Sequence, residues 1–438
     1  MKSIDEMQLK SNKKIKMNFS GGDLSSDTGL FLQKEFANRI GFEKVIESLF
    51  KTEDTADRLH TDTENLAQEI YQTIGGYFRD DHADEMRNDP VFCTMLDKDS
   101  LASQPTMSRF FNRTNETTIS QFEEIHKEMR RNVYTVSPPE QILFDLDSTL
   151  FETYGKQEGN GFNYHYSSHG YHPLLCYDGL TGDLLKAELR DGPTYTSKGA
   201  AEFMLPLLEE YMERYPDTEL YLRGDSGFAA PELYETLEYN GCSYAIRLKQ
   251  NNILIQLAAG LDDELSEKAK DNMIDYAVVY GEFLYQADSW KYPRRVVVKV
   301  EKPENQFAHM HTFIVTNMEL SPENLIRFYC NRGNMENFIK ESKNGFDFKT
   351  VSSSTKIVNA NRLQIAMLAY NLFNYFRRLV LPEKMRHFRI DTIRVKLFKV
   401  ASKLIRSARY WIFKLCSSCP YKNEFQETLE NIDRLQLE

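Results

Sequence analysis

Tyr329, Arg332, Glu336 and Lys343 lie in the segment FYCNRGNMENFIKESKNG, with the last three at offsets of three, seven and fourteen residues from the first. A helix advances about 100° per residue, so on one continuous helix all four side chains fall within roughly 60° of each other. Lys340 falls near the same face, one turn after Glu336, whereas Glu341 points roughly 120° away from Tyr329. A lone carboxylate framed by cations and an aromatic ring suits the neighbourhood of a metal ion and a phosphate backbone. The bland alternative is a solvated helix face, because acid–base pairs one turn apart are ordinary surface decoration.

Further acids stand where apolar runs stop. QILFDLDSTL reads as a buried strand that delivers Asp145 and Asp147, and ELYLRGDSGF as another that ends at Asp225. An Asp at a strand end often only caps the following turn. Three acids converging on one sheet edge have a different use, because hard cations such as Mg²⁺ take carboxylate, water and phosphate oxygens. Two such ions could activate a water or a 3′-hydroxyl and stabilise the leaving oxygen of an in-line attack on a phosphodiester. Asp145 and Asp147 share a strand face, so alternation alone does not choose between them.

The elements that must position these residues follow from periodicity. After QILFDLDSTL comes a long loop, YGKQEGNGFNYHYSSHGYH, whose His165, His169 and His172 read as packing or DNA-touching groups rather than as a metal site. PLLCY and LLKAEL, joined by DGLTGD, form two strands; Ser197 to Tyr215 is an amphipathic helix striped with Phe203, Leu207, Leu208 and Tyr211. The second Asp strand, a helix over Ala230 to Asn240 and the strand SYAIRLK complete the order strand, strand, strand, helix, strand, helix, strand. DYAVVYGEFLYQA, RRVVVKVEK and HTFIVTN are further strands before the Tyr329 segment.

The region up to Val136 reads as helical. Thr61 and Glu64 form a capping box, and in LASQPTMSRFFNRT Pro105 starts a short helix presenting Thr106, Ser108, Arg109, Asn112 and Arg113 to phosphates or base edges. Pro138 and Pro139 mark a linker. Between Arg389 and Lys414 eight basic residues face one acid, Asp391, and Ile393, Leu397, Val400 and Leu404 keep helical spacing. That pattern predicts a helix with one packed and one basic face, either solvated or on DNA. The expected boundaries are 1–136, 140–250, 251–318, 319–380 and 381–438.

The 438 residues, 41% hydrophobic and 27% charged, describe a globular protein with ample core. No apolar run is long enough to span a bilayer and the opening residues lack a secretory pattern, so a cytoplasmic, nucleoid-associated location is expected. The net charge of −11 is a whole-chain sum, while DNA responds to local patches. Of six cysteines only Cys416 and Cys419 are paired in spacing, with no nearby His, which points to reduced thiols rather than zinc.

In its order of elements the chain resembles the RNase H-like fold of DDE transposases and retroviral integrases. DLDST, RGDSGFA and YCNRGNMENFIKESK resemble the motifs around the three metal-binding acids of bacterial insertion-sequence transposases. The spacing from Tyr329 to Lys343 matches the Y-(2)-R-(3)-E-(6)-K signature of one group of them. The resemblance implies an α/β, RNase H-like core with a β-rich insertion between the second Asp and the Glu, a helical DNA-binding region before it and a basic helical region after it. It implies Asp147, Asp225 and Glu336 as ligands of two Mg²⁺ or Mn²⁺ ions, with Asp145 as an assistant or substitute. Tyr329, Arg332 and Lys343, with Lys340, would grip terminal DNA phosphates; Arg109 and Arg113 would contact DNA from the first region. Such an enzyme binds terminal inverted repeats, cleaves DNA at the element's ends and joins them to target DNA, acting as a homodimer in the synaptic complex and with no membrane partner. Gly333 stands where many relatives carry Trp, and a helical Gly costs about 1 kcal/mol against Ala, so a kink or close packing is expected there.

Two rivals remain. LFDLDST fits the D-x-D-x-T motif of haloacid-dehalogenase-type phosphatases, with Asp145 as nucleophile and Asp147 as general acid. Ala229 stands where that family's later acid is expected, and the hairpin after the first Asp suits it poorly. The other rival is a DNA-binding, catalytically inactive transposase derivative, against which the intact acids argue.

Overall fold

Ile142, Leu143, Phe144 and Leu146 are all buried in β1 (Gln141–Ser148), as expected of an apolar run lying inside a sheet. β2 (Leu174–Asp178) and β3 (Leu184–Glu188) follow as an antiparallel hairpin beside it. α1 (Ala200–Arg214) buries Phe203, Leu207, Leu208 and Tyr211, the stripe its sequence carries. β4 (Glu219–Gly224), α2 (Pro231–Tyr239) and β5 (Ser243–Leu248) come next, with β4 between β1 and β5 and parallel to both. This computed structural model describes residues 7–270, 275–306 and 308–436. The first six residues of the polar opening stretch, and 271–274 and 307 in the expected insertion, lie outside them.

The segment expected as a β-rich insertion holds one helix before its strands. It begins with α3 (Asn252–Lys268), whose first turn is capped by the Asn251 side chain accepting from Leu254 N–H at 2.9 Å. β6 (Ala277–Tyr285), β7 (Arg294–Lys302) and β8 (Met310–Thr316) then continue the same sheet, which has the order β6-β7-β8-β5-β4-β1-β2-β3. The Tyr- and His-rich stretch is likewise not a bare loop. Phe151–Glu152, Ser168–Tyr171 and Gly161–Asn163 pair into a small antiparallel sheet, built from strands too short to leave a periodic signature.

The single helix expected from Phe328 to Gly345 is two. α4 (Pro322–Cys330) stops and α5 (Gly333–Gly345) restarts across Asn331 and Arg332, where Arg332 N–H donates to Tyr329 O and Met335 N–H to Arg332 O. These three-residue turns reset the helical phase, so Tyr329 and Glu336 do not share a face. The break falls at the predicted kink, while the alternative of close packing is not seen: a Cβ on Gly333 would meet nothing within 4 Å.

The chain divides into two compact units: residues 137–343 with 348–363, which hold the large sheet, and residues 1–136 with 344–347 and 364–438. In the second of these, short strands at Met7–Gln8, Lys16–Met17 and Leu24–Ser25 precede a run of helices, among them Leu30–Arg39, Asp62–Gly75, Gln104–Phe111 and Glu116–Val136. The Thr61–Glu64 capping box is formed, and Pro105 lies in the first turn of its helix. The long amphipathic helix expected near Arg394 is absent. A short helix at Ile390–Ile393 runs into a π turn at Arg394–Phe398, and β9 (Ser402–Arg406) and β10 (Trp411–Leu415) then form a hairpin. Tertiary partners for two of the cations accompany the departure. Arg394 lies inside and donates to Thr73, Ile74 and Gly345 carbonyls, and Lys399 pairs with Asp27, so neither belongs to a solvated basic face.

Candidate active site

β1 and β4 pair in parallel with Arg223 opposite Asp145 and Gly224 opposite Leu146, so Asp147 and Asp225 emerge next, side by side at the strand ends. Parallel neighbours lie about 4.8 Å apart, and residues two apart on a strand share a face. Asp145 and Arg223 therefore meet one layer deeper. Arg223 donates Nε to Asp145 Oδ1 at 2.7 Å and Nη2 to Oδ2 at 2.6 Å, both side chains being almost wholly buried. Its Nη1 donates to Phe328 O at 2.8 Å, tying the end of α4 to the sheet. Gly179 makes room for the pair, since a Cβ there would lie 2.3 Å from Asp145 Oδ2.

Asp147 sits in a different environment. Its Oδ1 accepts from Ser148 N–H at 2.8 Å and its Oδ2 lies 3.3 Å from Arg332 Nη2, which also donates to Leu146 O at 3.2 Å. Burial pushes the Asp147 carboxyl up to about 6; Arg332 opposes that rise and the neighbouring Asp225 adds to it. Asp225 caps a single 3₁₀ turn, its Oδ1 accepting from Gly227 N–H at 2.8 Å. Tyr166 donates to Ser148 O at 3.1 Å, and burial, then Asp147 and Asp225, push its hydroxyl up to about 12.

α4 packs on the sheet through Leu325 and Ile326, which with Ala245, Val297 and Ile314 form a core that Phe328 and Tyr329 flank. Burial raises the Tyr329 hydroxyl, with Arg332 and Arg247 opposing. Lys343 donates to Leu150 O at 3.1 Å and to the Thr149 hydroxyl; burial lowers its ammonium and Asp147 opposes that. A cavity of about 610 Å³ beside it is lined by Leu150, Tyr154, Tyr166, Lys343, Lys349 and Val351, among others.

The fold thus brings Asp147, Asp225, Arg332 and Lys343 into one electrostatic neighbourhood. Glu336 stands apart from it. α5 buries Met335 and Ile339, and Glu336 points to solvent, 74% exposed and 3.9 Å from Lys340. Among the described residues, no group of three or more His, Cys, Asp or Glu stands close enough to hold a metal ion. His172 is engaged with Thr194 O at 2.7 Å, and His165 and His169 pack edge-on against Tyr166 and Phe162. In the helical unit Arg109 is exposed, whereas Arg113 is half-buried and ion-paired with Asp62.

The sequence profile of the transposase DDE domain group 1 family matches residues 7–437. The chain belongs to that family. It is a DNA transposase, an enzyme of the polynucleotidyl-transferase type, and its family depends on divalent metal. Among solved structures the chain is similar to a piggyBac transposase in a synaptic complex with hairpin DNA, with a TM-score of 0.43 and 12% identity over 93% of this chain and 85% of that one. No curated protein matches it in sequence.

The phosphatase alternative fails on geometry as well as on family. Its nucleophile would be Asp145, and both oxygens of that carboxylate are occupied by Arg223 beneath the surface. Sequence reasoning missed Arg223 and Tyr166. The signal for Arg223 was available in RGD against DLD, a cation two residues before one acid and an acid two residues before the other, on strands that pair. The two carboxylates at adjoining strand ends are oxygen donors that suit a hard cation, and the buried Arg332 Nε, a donor without a partner, suits a phosphate oxygen rather than the metal.

No described helix is long and apolar enough to cross a membrane.

Proposed function

We propose that this transposase cleaves DNA at the ends of an insertion sequence and joins the freed 3′-hydroxyls to target DNA, using Asp147, Asp225 and Glu336 as its metal-binding acids in an RNase H-like core. The single observation that carries this reading is the parallel register that sets Asp147 and Asp225 side by side while Arg223 removes Asp145 from competition. Two Mg²⁺ or Mn²⁺ ions, when bound, supply a lowered pKa for the attacking hydroxyl and charge neutralisation at the leaving oxygen. Asp147 and Asp225 would hold them from the ends of paired strands. Glu336 would complete the set by a turn of α5 about the break at Arg332 and Gly333, giving up its exposed contact with Lys340.

Arg332 sits beside Asp147 and is oriented by the Leu146 carbonyl, so it steers a terminal phosphate toward the carboxylates. Lys343 and Tyr329 flank the same approach, and Lys340 reaches phosphates from the solvent side of α5. Arg109 contacts DNA from the helical unit; Arg113, already paired to Asp62, stiffens that helix and adds to the local field. The DNA partners are the element's terminal inverted repeats and the target, held by a homodimer that pairs both ends.

The test is cleavage of labelled DNA carrying the element's own ends, with Mg²⁺ and with EDTA. The reading expects metal-dependent nicking in the wild type that is lost in Asp147→Asn, Asp225→Asn and Glu336→Gln while DNA binding persists. Full cleavage by Glu336→Gln would refute the helix assignment, and a wild type that binds but never cuts would favour an inactive derivative.

A further inference from the structure

The hairpin of β9 and β10 is a basic segment of an acidic chain. No acid stands between Asp391 and Glu424, while Lys403, Arg406, Arg409 and Lys414 lie on the hairpin or its tip. All four are exposed, and among the described residues none makes an ion pair. The cations just before them behave differently, since Arg394 and Lys399 pair with Asp391 and Asp27.

The register sharpens the point. Leu404 opposite Phe413 forms the inward face, with Phe413 edge-on to Phe31 at 4.8 Å. The outward face sets Lys403 directly opposite Lys414, next to Ile405 opposite Ile412. Like charges in a direct cross-strand pair are destabilising, so an unpaired Lys–Lys couple on a hairpin is a cost that an anion would relieve. At the far end, on the Leu404 side of the ribbon, Arg406 stands opposite Trp411 and stacks over it at 5.4 Å, and Ser407 and Tyr410 close the turn through a backbone bond of 2.9 Å. Of the chain's two tryptophans Trp290 is buried, yet Trp411 is 51% exposed and its neighbour Tyr410 68%. Exposed aromatic rings interleaved with unpaired arginines suit a partner that is both anionic and planar-faced.

The geometry points to the β9–β10 hairpin as a contact for duplex DNA, with Lys403 and Lys414 on backbone phosphates and Arg409, Tyr410 and Trp411 entering a groove. A two-stranded ribbon fits a major groove about 12 Å wide. The inference extends the reading of this chain as a DNA-gripping transposase and depends on it.

The test is fluorescence anisotropy of the full chain with a short random-sequence duplex across a salt series. Removing two phosphate contacts in Lys403→Ala/Lys414→Ala weakens binding about tenfold and reduces the slope of log Kd against log salt by about 2. Lys414→Glu gives the sharper result, because it converts a repulsive cross-strand pair into an attractive one. The variant's Tm holds or rises while its DNA affinity falls, a combination that misfolding does not produce. Arg409→Ala/Trp411→Ala weakens binding with less change in salt slope. If the wild type binds duplex and all three variants bind equally well, the hairpin assignment is overturned. If the variants instead change only the oligomeric state by sedimentation, the face is a contact between copies of the chain and the assignment is again overturned. If the wild type binds no duplex at all, the DNA-gripping reading itself fails.

Discussion

Asp147 and Asp225 are held by the ladder of two central parallel strands, whereas Glu336 rides on a helix that restarts three residues before it. The first pair inherits its placement from six matched residue pairs between β1 and β4, reinforced by a buried Arg223–Asp145 bridge. Glu336 depends on the two turns around Arg332 and on the burial of Met335 and Ile339. A sheet end fixes a side chain to within a pleat; a broken helix leaves its next turn free to choose a face. The carboxylates of the proposed catalytic set thus differ in how firmly the fold commits them.

Substitutions break or sharpen that contrast to different extents. Arg223→Ala strands a buried carboxylate under the fixed pair and should destabilise the sheet unit by about 3–5 kcal/mol in denaturant unfolding, whereas replacing both partners with apolar residues should restore most of the loss. Asp147→Asn should act the opposite way. A folded carboxyl held near 6, above its unfolded value, makes ionisation costly to the fold; the cost is complete above about pH 6 and vanishes below the ordinary carboxylate range. The variant should therefore gain about 1–3 kcal/mol at pH 7 and nothing at pH 3, read from Tm against pH, while losing cleavage.

Gly333→Ala tests the Glu336 side. Its Cβ has open space, so the change should add up to about 1 kcal/mol of helix stability and slow cleavage severalfold if α5 must turn there. Lys340→Ala should shift unfolding by less than about 0.5 kcal/mol, because the Glu336 contact is long and exposed.

The same contrast explains what the sequence disclosed. Buried parallel strands leave continuous apolar runs, and the α1 stripe is periodic, so the order from β1 to β5 could be read directly. Asp145 and Asp147 could not be told apart along their own strand, since the residue that separates them, Arg223, comes from another strand 78 residues away. Near the C-terminus, Ile393, Leu397, Val400 and Leu404 fit helical spacing, yet Leu404 belongs to a strand that pairs with residues 24–25. Non-local pairing overrode a local pattern there, in a stretch whose Ile405, Trp411, Ile412 and Phe413 also favour strands. The Tyr329–Lys343 spacing suggested one face, and the phase reset at Arg332 divided it.

The most direct test of the account is Mn²⁺ binding, followed by electron paramagnetic resonance, in full-length protein bound to DNA carrying the element's ends. Two ions per protomer are expected in the wild type, with impaired binding in Asp147→Asn, Asp225→Asn and Glu336→Gln. Glu336→Gln binding both ions as tightly as the wild type would contradict the account.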